Sequence, residues 1–177
     1  KRSLMSRAHG FLSLGFFVPS LLAAGVRQAG IADTWHLGVI YLVIVIVGSV
    51  ALAGLEEAPI PPTHDSEKPP LIAFPSLALL PLCLIGLVAF LIEGSGVDWS
   101  TIYMRDVFHS EPFIGGLGLT LFTAVMAAAR IYLGPVIDRF SPRVVVTVLL
   151  GVSIAGLAAV WLAPYPAVAI IGFGLLG

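Results

Sequence analysis

Charge is what this sequence has least of. Lys, Arg, Asp and Glu make up 11% of its 177 residues, where a soluble domain carries about 25%. So few charges cannot cover a water-facing surface, and a freely soluble fold is excluded. Nor does either sign dominate: the formal net charge is -1, which leaves no basic patch to neutralise phosphates and argues against nucleic acid as a partner. Cysteine is scarcer still. Cys83 is the only one; it lies in an apolar run and can form neither an internal disulfide nor a cysteine-based metal site, so a buried packing role is the expectation. His64 and Asp65 are two potential ligands in a polar stretch, too few for a metal centre, and no cofactor or metal is expected.

What is present is apolar surface, at 58% of residues. The charges cluster, so the sequence between them falls into blocks at residues 8–26, 37–55, 71 to about 104, 112–137 and 144–163, with a shorter run at 166–177. A hydrocarbon core of about 30 Å takes roughly 20 helical residues to cross. Lipid offers no partner to backbone polar groups, and the blocks are twice the length of barrel strands, so they must be helices. The first is followed by further spans rather than by a polar domain, which argues against a removable signal peptide. The fold expected is all-α, a polytopic membrane helical bundle of five spans and half of a sixth. The chain opens at Lys1 without Met and stops inside an apolar run, so it reads as a fragment whose activity depends on helices outside it.

Residues 56–70 (EEAPIPPTHDSEKPP) are the one long polar stretch, rich in Pro and acidic side chains. Such composition forms no packed core and reads as a linker. It divides the chain into residues 1–55, the last two helices of one bundle, and 71–177, the first three to four helices of another. Alternating the loops between two sides puts Lys1, Arg2, Arg7, Lys68, Arg139 and Arg143 on one face and only Arg27 and Arg105 on the other. The positive-inside rule then makes the residue 1 end and the linker cytoplasmic. Trp35, Trp99 and Trp161 fall at or near the opposite face, as an interfacial belt would. Small residues recur at helical spacing, at Gly10 and Gly15, at Gly115, Gly116 and Gly118, and at Gly151, Ser153, Ala155 and Gly156. They let helix backbones approach closely in lipid.

An ionisable side chain near the bilayer centre costs at least about 2.5–3.5 kcal/mol on insertion scales, so each is a functional candidate. Glu93, Asp98 and Arg130 qualify. Glu93 and Asp98 bracket Gly94-Ser95-Gly96-Val97, where two glycines loosen a helix. Broken helices near the midplane expose polar groups to substrate in transporters. The two carboxylates are about 140° apart on a regular helix and share a cavity only if it unwinds. On the functional reading Glu93 binds substrate or carries a proton, Ser95 and Asp98 lie beside it, and Trp99 supplies a sugar-stacking wall. On the structural reading Asp98 sits at the outer interface and caps a helix that restarts at Trp99. Gly94-Ser95-Gly96 is not a serine-protease site, because no histidine lies at similar depth in a span to act as base; no catalytic constellation is found, and an enzyme is not expected. Arg130 lies eight residues before Asp138, about 12 Å into the membrane, and Glu93 about 30 Å from the start of its own span. These depths keep the two apart and leave Arg130 to snorkel toward the cytoplasm or to pair with helices outside the fragment.

Gly134-Pro135-Val136-Ile137-Asp138-Arg139-Phe140-Ser141-Pro142-Arg143 resembles the G-x-x-x-D-R-x-G-x-R signature that joins the second and third helices in each half of the major facilitator superfamily. In that family the motif lies in a cytoplasmic loop, where the charge count independently puts Asp138 to Arg143. Gly134 admits a neighbouring helix, Asp138 caps its N-terminus or pairs with a basic residue, and Arg139 and Arg143 hold the inward face. Ser141-Pro142 stands where the family usually has Gly; it still makes a turn. Met5 to Gly15 (MSRAHGFLSLG) and Glu93 to Tyr103 (EGSGVDWSTIY) resemble the fucose-permease-like and MosC-like bacterial branch. His9 is part of that pattern, and equally reads as a helix-end residue in the headgroup region. The spacing from Glu93 to Asp98 matches substrate-contacting positions of helix seven in sugar porters.

The resemblance implies helices five to ten of a twelve-helix facilitator in the bacterial inner membrane, with residues 56–70 between its bundles. It implies transport by alternating access, with Glu93, Ser95, Asp98, Trp99, Tyr103 and His9 toward a central site and Gly134, Asp138, Arg139 and Arg143 as a gating motif. The expected partners are a small polar, sugar-like solute, protons if transport is coupled, and membrane lipids. Efflux of a drug or metabolite is the alternative.

Overall fold

The computed structural model describes residues 2–55 and 74–177, and at residues 2–8, 135, 136 and 138 the backbone alone. The linker expected at 56–70, with His64 and Asp65, lies outside the described residues. Every regular element among those described is helical. They are α1 (Arg2–Gln28), α2 (Asp33–Ala53), α3 (Leu80–Gly94), α4 (Ser100–Phe108), α5 (Pro112–Tyr132), α6 (Gly134–Arg139), α7 (Pro142–Trp161) and α8 (Pro166–Leu176). A 3₁₀ turn, Leu77–Leu79, leads into α3, and a π-turn, Ser95–Trp99, joins α3 to α4. Five stretches are long and apolar enough to cross a membrane, His9–Gln28, Asp33–Ala53, Leu77–Phe108, Pro112–Tyr132 and Pro142–Trp161; α8 is shorter. The expected all-α polytopic membrane bundle is what the chain forms.

Proline and glycine set the boundaries. Pro112, Pro142 and Pro166 open α5, α7 and α8, where a missing N–H costs no helical bond and the fixed φ suits the first turn. Gly30, at φ 72°, turns the chain out of α1, and His109, at φ 49°, ends α4 in the left-handed conformation. The block at 112–137 divides into α5 and α6 rather than running through, because a proline at 135 has no N–H to donate to the carbonyl of Ile131.

The helices pack through small residues. As α1 advances from Gly10 through Ala24, its partners on α5 recede from Ile131 to Gly116, so the two run antiparallel along their whole length. Ser20 and Thr120 meet midway with hydroxyl oxygens 3.4 Å apart, and Gln28 closes the far end on Glu111 and the Phe113 amide. α7 and α8 cross at Gly156 and Gly172, where a Cβ on either glycine would lie 2.8 Å from the other's carbonyl oxygen. Met104, Phe122, Met126, Val160, Ala169 and Phe173 form the core between α4, α5, α7 and α8. Neither α2 nor α3 buries a residue; their apolar surfaces face outward from these contacts.

Candidate functional site

The glycines at 94 and 96 do not break the helix. Gly94, Ser95 and Ser100 all keep right-handed helical dihedrals, and the extra residue is absorbed as a π-turn, the form such insertions take inside helices, often at functional sites. The turn seats Gly96 against the Phe122 ring, which occupies the space a side chain would fill. α4 continues into the core beyond this contact. Before it, α3 diverges from α5, and a cleft of about 630 Å³ opens between α3, α5, α7 and α8.

Glu93 and Arg130 lie in the wall of this cleft. The Arg130 Nη2 donates to both carboxylate oxygens of Glu93, at 3.2 Å each, and Nη1 donates to the Ser13 hydroxyl at 2.7 Å. Ser13, fully buried, donates in turn to the His9 carbonyl at 3.1 Å. Three helices far apart in sequence thus meet on one guanidinium. The separation of Glu93 and Arg130 inferred from depth is overturned. That count starts both spans in one plane and begins the third at residue 71; helix begins at Leu77, α3 overhangs the end of α5, and the long arginine side chain spans what remains. Arg130 sits in the last turn of α5, where a cation also suits the helix dipole.

The pair is neither dry nor wholly solvated. Side-chain exposure is 40% for Glu93 and 28% for Arg130, so water or a solute in the cleft can reach both groups while the Ser13 side stays closed. Around them the lining is apolar, with Ile85, Ala89, Leu121 and Leu149 among its residues. A site of this kind takes a ligand with a few polar groups that converge on the ion pair.

The other sequence-derived candidates are dispersed. Asp98 and Trp99 are exposed and do not line the cleft, the unwinding needed to bring Asp98 to Glu93 being absent. Ser95 is exposed and donates to the Leu91 carbonyl at 2.7 Å. Tyr103 faces the core, donating from its hydroxyl to the Val160 carbonyl at 2.8 Å and packing edge-on to Phe108 and Phe173. His9 is an exposed residue joined to the site through its carbonyl. Gly134 opens α6, Arg139 and Arg143 are exposed, and the Asp138 side chain lies outside the described residues. Sequence reasoning missed Ser13. A hydroxyl on an apolar face, one helical turn from His9, was its only signal. Among the described residues no group of three or more His, Cys, Asp or Glu side chains is placed to hold a metal ion.

No family model matches the chain, and no solved structure matches it at a significant level. Among curated proteins it is 26% identical to an uncharacterised MFS-type transporter of Yersinia pestis, over 99% of this chain and 45% of that protein. It is 29% identical to the uncharacterised transporter y4wD of Sinorhizobium fredii, over 65% of this chain and 30% of the relative. To the membrane protein MosC of Rhizobium meliloti it is 30% identical, over 54% of this chain and 24% of MosC. The chain therefore spans less than half the length of each of these relatives. With its five membrane-length helices, it is a stretch of a multi-pass membrane protein similar to transporters of the MFS type.

Proposed function

We propose that the chain belongs to a secondary transporter that moves a small polar, sugar-like solute by alternating access, with the cleft at Glu93 and Arg130 as part of its solute path. The observation that carries this reading is the half-exposed ion pair in a membrane-spanning segment: Arg130 Nη2 lies 3.2 Å from both oxygens of Glu93 at the wall of a cleft of about 630 Å³. Both members of the pair line the cleft, where the hydroxyls of a sugar-like solute can join the carboxylate as donors and the guanidinium as acceptors. Residues 1–55 and 71–177 would then belong to two bundles that rock against each other along α1 and α5, with the Gly134 to Arg143 segment at the cytoplasmic face. Protons couple to the cycle through Glu93 if it releases Arg130 when protonated.

Uptake into proteoliposomes of the full-length protein tests this, using a panel of sugars with and without a pH gradient, for wild type and Glu93→Gln. Transport of at least one sugar, lost or uncoupled from the gradient in Glu93→Gln, is the expected result. Wild-type rates for the variant across the panel would sink the assignment. The apolar remainder of the lining favours a second reading, export of an amphipathic metabolite or drug; gradient-driven extrusion of such compounds without sugar uptake would select it.

A further inference from the structure

A second cavity, of about 340 Å³, lies between α1, α4 and α5 at the end of the bundle that carries the turns 29–32 and 109–111. It differs from the first in its chemistry. Arg27 and Arg105 both line it, with Ser20, Thr101 and Ser110. Each guanidinium carries five N–H donors. Asp33 engages Arg27 through Nη1 at 2.7 Å, and Asp106 engages Arg105 through Nε and Nη2 at 2.6 and 3.2 Å. Neither aspartate lines the cavity, and Glu111, the other nearby carboxylate, accepts from Gln28 instead. The Ser110 hydroxyl oxygen is buried and has no hydrogen-bond partner among the described residues, an arrangement that is costly unless a ligand or water supplies one.

We propose that this cavity binds a small hydroxylated monocarboxylate, a sugar acid in chemical class, as a station distinct from the Glu93 cleft. Beyond their aspartate bonds Arg27 keeps Nη2 and Arg105 keeps Nη1, charged donors that suit a carboxylate. Asp33 and Asp106 balance their formal charge from outside the cavity, so only the guanidinium donors turned to the cavity favour an anion, and a single carboxylate suits them better than a doubly charged group. Thr101 and Ser110 supply hydroxyls that can donate and accept, and Ser20, whose proton goes to the Phe17 carbonyl, can still accept. The volume falls within the roughly 300–1,000 Å³ of small-molecule sites. Ala24 packs on Gly116 at this cavity, whereas Ser13 binds Arg130 further along the same pair of helices; eleven residues of α1 separate the two levels, about 16 Å. The role of the site as a station rests on the transporter reading, but its occupancy does not.

Titration calorimetry of the full-length protein in detergent micelles tests occupancy, with gluconate as probe and sorbitol as its uncharged counterpart. Saturable binding of gluconate is expected, undisplaced by excess sorbitol. Arg27→Gln or Arg105→Gln should weaken it at least tenfold, Arg105→Lys should recover part, and Glu93→Gln should leave it unchanged. Ser110→Ala, too mild to disturb folding, should weaken it about threefold. The proposal falls if gluconate gives no saturable heat, if sorbitol displaces it, if variants melting like wild type bind gluconate undiminished, or if inorganic phosphate or anionic lipid binds there in its place. Because this readout needs no transport, failure of sugar uptake leaves it standing, and its own failure leaves the Glu93 test intact.

Discussion

Arg130 holds Glu93 with one nitrogen and Ser13 with the other, so the carboxylate that faces the cleft is tied through a single guanidinium to the buried face of α1. α3 otherwise makes little contact with α5 before the π-turn. Anything that loosens Glu93 from Arg130 therefore frees α3 on one side and changes the load on the α1 contact on the other. If the two charges act as a pair, order should matter less than complementarity. Glu93→Arg and Arg130→Glu are each expected to cut uptake about tenfold or more, a loss of about 1.4 kcal/mol per decade, and the double exchange should recover a measurable part. Recovery in the double variant is the diagnostic, because additive losses would mean that the two residues act independently.

Ser13 should report on the tie alone. It is fully buried and accepts from a charged donor, a class of bond worth roughly 1.5–3 kcal/mol. Ser13→Ala removes the acceptor without adding volume. Thermal unfolding of the purified protein should shift downward, while Ser13→Thr, which keeps the hydroxyl, should lie between the two. An unchanged midpoint for Ser13→Ala would show that the Arg130 contact carries no stability.

The spans were legible because lipid imposes one rule on every backbone group, and the apolar blocks obey it. Hydropathy cannot report the axial offset between helices, and the Glu93 to Arg130 pairing depends on that offset. Gly94 and Gly96 signalled irregularity correctly, but glycine leaves its form undetermined; the Phe122 ring settles it by filling the space over Gly96. Likewise Gly116 and Gly156 announced close packing without naming their partners, Ala24 and Gly172 on other helices.

That packing role makes Gly96 a test of the π-turn. A side chain there would overlap Phe122, and overpacking of a close-packed core costs about 1–3 kcal/mol. Gly96→Leu should lower the unfolding midpoint and the yield of folded protein. Adding Phe122→Ala should relieve part of the loss even though that change alone opens a cavity. If the double variant is worse than the sum of the singles, the two residues do not share the space.

Gly156 and Gly172 call for a sharper outcome, since each would place a Cβ against the other's backbone rather than against a side chain that can swing away. Gly156→Leu is expected to separate α7 from α8 and to abolish folded protein in membranes, assayed by size-exclusion profile after detergent extraction. Gly151→Leu is the control: a Cβ at that position meets nothing within 4 Å, and its profile should match wild type.

The seam between α1 and α5 offers a way to ask whether these helices must part during the cycle. The Ser20 and Thr120 hydroxyl oxygens lie 3.4 Å apart, so cysteines at both positions place their sulfurs close enough to bond after small side-chain rotations. With exposed Cys83 changed to Ser, oxidation of Ser20→Cys/Thr120→Cys should yield an intramolecular crosslink, detectable by reconstituting the protein with a protease site engineered between residues 56 and 70. Under alternating access the oxidised protein should lose uptake and regain it on reduction, with each single variant indifferent to oxidant. Full uptake by quantitatively crosslinked protein would mean that α1 and α5 stay together throughout the cycle, and the two bundles would then have to move about some other seam.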